Sequence, residues 1–265
     1  MAESEKRLPI LGHLAELRDR LTRSAIAAVV TTSLSFIFAR QIFNLLTYKS
    51  SLTKPIFDFL TNRMHLFPIP DVTLVFIEAT EMLGTYMRVS LASGIILAMP
   101  YITYEFMMFV SPALTRRERK YVYLIMPWVG LMFVTGVLFC YFILLPPSVR
   151  FLLTFGTDIA TPQIRVGNYI SLVTRLMLAV GLVFEMPVVT TFLARLGIIS
   201  GDWLAKKRKV AIILAFVAGA IITPTFDPIN QTLVALPLVV LYELSIWLAR
   251  LVHRKKPVPR LLKTL

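Results

Sequence analysis

The chain has 265 residues, of which 57% are hydrophobic and only 16% charged, with a mean hydropathy of +0.73. A soluble domain of this length has no use for so much apolar surface, so the composition points to an integral membrane protein. The formal net charge of +13 comes without a nucleic-acid-binding motif, and no nucleic acid is expected as a partner. Cys140 is the single cysteine, which excludes an intrachain disulfide, and His13, His65 and His253 are scattered without metal-ligand spacing. There is no glycine-rich phosphate loop and no GxSxG elbow, so neither an enzyme activity nor a cofactor or metal is expected.

The leading segment, MAESEKRLPILGHLAELRDRL, is acidic as well as basic and has no small-residue cleavage site, which argues against a cleaved signal peptide. Within it Ile10, Leu14, Leu17 and Leu21 recur at helical spacing, while Glu16, Asp19, Arg20 and Arg23 point elsewhere. Residues 1–22 are therefore expected to form an amphipathic helix lying on the cytoplasmic leaflet.

Six apolar windows follow, at Ser24–Leu46, Leu83–Val110, Tyr121–Leu145, Ile170–Leu196, Val210–Ile222 and Gln231–Leu251. Turn residues separate them: Pro68 and Pro70, Ser111-Pro112, Pro146-Pro147, Gly201, and TPTFDP at Thr223–Pro228. The second window extends back towards Glu78, and Glu81 and Arg88 share a helical face, where they read as an interfacial ion pair. In the fourth, Glu185 stands two residues before Pro187, which should bend the helix there. The fifth is short, ~20 Å against a hydrocarbon core of ~30 Å. The sixth is interrupted by Pro237 and carries Glu243. The expectation is an all-α integral membrane protein with six transmembrane helices, forming one domain over residues 1–265, with a basic tail at 252–265.

Charge gives the orientation. Twenty Lys and Arg residues fall in the leading segment, the loops after the second and fourth windows, and the tail, against five in the alternate loops. Both termini are then cytoplasmic, and the basic loops favour anionic lipids. Arg40, Arg88 and Arg175 lie inside or near spans, and no partner for Arg175 is evident.

Four stretches stand out: HLAELRDRL (His13–Leu21), PALTRRERK (Pro112–Lys120), FEMP (Phe184–Pro187) and ITPTFDPINQTLVALPLVVLYE (Ile222–Glu243). In this order, at compatible spacing and over nearly the whole chain, they closely resemble the TatC family, the multispanning receptor of the twin-arginine protein translocase. The resemblance implies a multi-pass protein of a prokaryotic cytoplasmic (inner) membrane. It would bind the signal peptides of folded substrate proteins, and would work with TatA-type and TatB-type single-span subunits and with other copies of itself. The membrane potential or proton gradient would drive it.

A pair of signal arginines needs fixed carboxylates, because guanidinium–carboxylate forks are charge-assisted and directional. The resemblance assigns this task to Glu118, which otherwise could only pair with Arg116 or Lys120. Glu16 would be the second acceptor, with Arg18 as the residue that orients it, and Phe109 would pack against the signal. Glu105 stands where many family members have glutamine, at a position facing a single-span partner. Glu185 is either part of a groove for the translocating chain or a buried carboxyl hydrogen-bonded to neighbouring helices. Asp227 matches the family's aspartate in the last external loop, or caps the sixth helix. From the residues alone the competing function is a proton-coupled secondary transporter of a small solute, using Glu105, Arg175, Glu185 and Glu243 inside the spans.

Overall fold

The structure, a computed structural model, describes residues 10–47, 74–110, 116–155, 157, 159, 163–223 and 228–252. The side chains of residues 10, 11, 13, 110 and 116–122 lie outside that description.

Helix α1 runs from Ile10 to Ile37 without interruption. The expected separate surface helix is therefore absent as an element of its own. Its polar turns continue straight into the apolar ones, since no proline falls between Ile10 and Ile37 to end the ladder. The turn comes later, at Phe38, where the chain swings through 81° into α2 (Ala39–Leu46). Last-turn carbonyls of a helix have no partner within it. Here Leu45 and Leu46 receive the hydroxyls of Tyr141 at 2.5 Å and Tyr169 at 3.0 Å.

A strand β1 of two residues, Leu74–Val75, pairs in parallel with β2, Ile164–Arg165. It is a small departure from an all-helical chain, and it ties together the segments that lead into the helices starting at Glu81 and Val166.

Helix α3 spans Glu81–Val110 and α4 spans Arg116–Phe139. The chain then continues through a π-helical turn, Cys140–Leu144, into α5 (Leu145–Thr154). Tyr123–Thr154 is thus one apolar rod of 32 residues, and Pro146-Pro147 do not form the loop their sequence suggests. The prolines sit in the first turn of α5, where a missing N–H costs little. The π turn, in which Leu145 N–H reaches back to Cys140 O, admits them.

Helix α6 (Val166–Phe184) and α7 (Met186–Arg195) meet at Glu185. The helix is interrupted at the expected place beside Pro187: Glu185 N–H reaches back to Leu182 O at 3.1 Å, and Glu185 O accepts from Val188 and Val189. After α8 (Gly201–Lys206) come α9 (Arg208–Ile222) and α10 (Pro228–Val252). Among the described residues four helices, or broken helices, are long and apolar enough to cross a bilayer, and α1 with α2 makes a fifth candidate. At 15 residues α9 reaches about 22 Å, as short as the fifth window implies.

Packing centres on α6. Tyr169, Ile170, Val173 and Leu176 are fully buried against Leu145, Val149, Val89 and Val234 from three other elements. Helix α1 lies along α3 at close range. A methyl group added to Gly94 would run into Thr32 Cα, so only glycine permits this approach, and Thr31 donates to Gly94 O at 2.8 Å. Large apolar side chains such as Ile26, Val30, Leu97, Leu131 and Ile213 point outwards. Such a surface suits lipid and not water.

Candidate functional site

Two carboxylates are buried on opposite sides of the last turns of α3. Glu105 is 3% exposed and faces α1, where Arg20 Nη1 donates to it at 3.0 Å. The same guanidinium holds Glu16 through Nε at 3.0 Å and Nη2 at 2.7 Å. Tyr101, one turn before Glu105, donates its hydroxyl to the other carboxylate oxygen at 2.8 Å. One cation thus bridges two acids that stand 89 residues apart in sequence, and a phenol completes the set. The net charge of the cluster is −1.

Arg18 plays no part in it. Its side chain is 79% exposed and its only described side-chain partner is Asp19, at 3.5 Å. Orientation of Glu16 falls to Arg20, because residues four apart stack on one helical face and residues two apart do not. Arg20 and Tyr101 were legible in principle: Glu16–Arg20 and Tyr101–Glu105 are both i,i+4 pairs. That α1 and α3 would bring the two pairs together was not.

Thr103, two residues before Glu105, faces the other way. Its hydroxyl donates to both oxygens of Glu185, at 3.0 and 3.2 Å. Glu185 is 5% exposed and has no ion pair among the described residues. The carboxylate at the bend therefore faces protein, in contact with α3.

Phe109 is half-buried at the end of α3. Glu118 lies by backbone in the first turn of α4, but its side chain is outside the described residues, and so is Asp227 altogether. Glu16 and Glu105 are brought together; Glu118 and Asp227 cannot be placed beside them.

Other expectations change. Glu81 and Arg88 do not pair with each other. Both engage Gly167: Glu81 accepts from its N–H at 3.2 Å, and Arg88 donates to its carbonyl at 3.1 Å and to Ser171 Oγ at 2.7 Å. The start of α6 comes between them and satisfies each with backbone. Glu243 is not buried either. It is 45% exposed and forms a fork with Arg208, with both contacts at 2.7 Å. Arg175 is exposed too, so of the four groups suited to a solute pathway only Glu105 and Glu185 are buried.

Long apolar helices, outward apolar side chains and acids buried between helices define a multi-pass helical membrane protein. The family described as Sec-independent protein translocase protein (TatC) matches residues 12–237. A TatC from Aquifex aeolicus (strain VF5) is 41% identical over 251 residues, covering 94% of this chain and 98% of that protein. A TatC from Carboxydothermus hydrogenoformans is 36% identical over 252 residues, covering 95% and 97%. A crystal structure described as the twin-arginine translocase receptor TatC superposes with a TM-score of 0.76 at 40% identity, covering 91% of this chain and 100% of that one. The chain belongs to the TatC family, a component of the twin-arginine protein translocase.

Proposed function

We propose that this chain is the signal receptor of its translocase, a single domain of a prokaryotic inner membrane with six spans and both termini in the cytoplasm. The twin arginines of a substrate's signal peptide bind at the cytoplasmic face, to Glu118 and Glu16. Arg18 stands exposed on the turn beside Glu16, and Phe109 packs against the apolar part of the signal. Glu105, Glu185 and Asp227 serve the groove or the contact with TatA-type and TatB-type single-span subunits. Further copies of the chain, anionic lipids at the basic loops and the proton-motive force complete the machine.

The observation that carries this reading is the guanidinium of Arg20 held between Glu16 and Glu105. It supports the reading because a site that already fits one arginine has the geometry to fit another. Proton-coupled solute transport has no comparable support, since Glu243 is engaged at the surface and Arg175 is not enclosed between helices.

The test is binding of an Arg-Arg signal peptide and its Lys-Lys version to the purified protein, by fluorescence anisotropy. Glu118→Ala and Glu118→Gln should each weaken Arg-Arg binding by ~1.5–3 kcal/mol, the worth of a hydrogen bond to a charged group, while leaving the fold intact. Unchanged affinity in both, or equal affinity for the two peptides in the wild type, refutes the assignment.

A further inference from the structure

Arg175 is a charge within a helix that the carboxylate cluster does not use. It sits nine residues past the start of α6 at Val166, about 14 Å along the helix axis, within a span. Its side chain is exposed and makes no hydrogen bond or ion pair among the described residues. A guanidinium at that depth without a counter-charge is costly, so such residues face an anion, water or protein carbonyls. Among the described residues no carboxylate or carbonyl accepts from Arg175.

What surrounds it is uniformly receptive to negative charge. Arg175 stands where two cavities adjoin, of about 680 and 280 Å³. Arg165, Gln163 and Asn168 line the larger, Arg88 the smaller, and Ser171 both. No Asp or Glu lines either cavity among the described residues. The neighbouring groove holds two acids, Glu78 and Glu81, and the oxygens of Glu81 accept from the N–H groups of Ile77 and Gly167. Arg88 uses only Nη1 on Gly167 and Ser171, which leaves donors free. The remaining walls are apolar, with Leu152, Leu172 and Val149 in the larger cavity and Leu91 and Leu178 in the smaller.

We propose that this groove binds a phosphate group, with Arg175 as its principal ligand and Arg88 and Arg165 as supporting cations. Guanidinium forks match phosphate oxygens, and Ser171 and Asn168 add neutral donors. The adjoining apolar walls suit the chains of a phospholipid better than they suit a free ion. The groove lies at the end of α3 opposite the Glu16–Glu105 cluster, so it is distinct from the basic loops near that cluster.

Native mass spectrometry of the full-length protein in mild detergent tests this. Phosphatidylglycerol, a phosphate-free diacyl glycolipid of the same chains, and inorganic phosphate would be titrated onto the wild type, R175Q, R175K and a control variant, R40Q, whose exposed arginine lines neither cavity. The wild type should retain one phosphatidylglycerol and none of the glycolipid. R175Q should lower that retention about tenfold or more, R175K should keep part of it, and R40Q should match the wild type. R175Q removes no hydrogen bond or ion pair among the described residues, so its thermal unfolding should match the wild type, which separates lost binding from lost folding. Displacement of the lipid by millimolar inorganic phosphate would identify a soluble phosphate as the source, with the same ligands. Equal retention by wild type and R175Q, or Arg175-dependent retention of the glycolipid, overturns the proposal.

Discussion

Glu105 and Glu185 are two buried carboxylates that touch the same helix, and α3 treats them differently. Glu105 has a cation and a phenol: Arg20 at 3.0 Å and Tyr101 at 2.8 Å. Glu185 has one hydroxyl, that of Thr103. Burial alone therefore says little about how a carboxylate is held. The first belongs to a charged network whose members depend on each other, the second to a single neutral contact beside a break in the α6–α7 helix. Removing a partner should cost far more in the first case, since an unpaired buried charge is the most expensive group to leave behind.

The widest gap between the two should come from Arg20→Gln. It strands both Glu16 and Glu105 and should destabilise the protein by ~3–5 kcal/mol in detergent unfolding. The double variant Arg20→Gln with Glu105→Gln should recover part of that loss, because the stranded charge goes with it; strict additivity would mean that the two do not interact. Thr103→Val should cost less, about 1–3 kcal/mol, by taking the described donor from Glu185. A loss equal to that of Arg20→Gln would break the comparison. Glu185→Gln comes last, at under about 1 kcal/mol, because the amide keeps an oxygen for Thr103 to donate to. Signal-peptide affinity should be untouched by it, while export can fall, and measuring the two separately shows whether the bend serves transport. A stability loss larger than that of Glu105→Gln would reverse the ranking of the two sites.

Much of the architecture was legible because hydropathy and proline act locally. The long apolar windows correspond to α3, to the rod from α4 to α5, to the broken α6–α7 helix and to α10. The break at Glu185 follows from Pro187. The break at Phe38 had no such marker, since Ser24–Leu46 contains neither proline nor glycine. There the end of α2 is fixed from a distance, by Tyr141 and Tyr169 on its last carbonyls. The carboxylate cluster divides the same way. Glu16 and Glu105 came from the family resemblance, whereas Arg20 and Tyr101 were missed, although each stands four residues from its carboxylate. The meeting of α1 and α3 depends on Gly94 admitting Thr32, a contact that no one-dimensional pattern encodes. Arg18 was preferred to Arg20 through the resemblance, and helical geometry favours the other.

The two tyrosines also set a timetable. Tyr141 lies 96 residues after the carbonyl it holds, and Tyr169 lies 123 after its own. At roughly 5–20 residues per second, a ribosome needs on the order of ten seconds to make that stretch of chain. Helices α1 and α3 have their Thr31–Gly94 contact available long before then. The segment after Phe38 must therefore wait, its final carbonyls unclaimed, until the middle of the protein has entered the membrane. In a growing chain the sharp elbow near the N-terminus closes only once the middle of the sequence has been made.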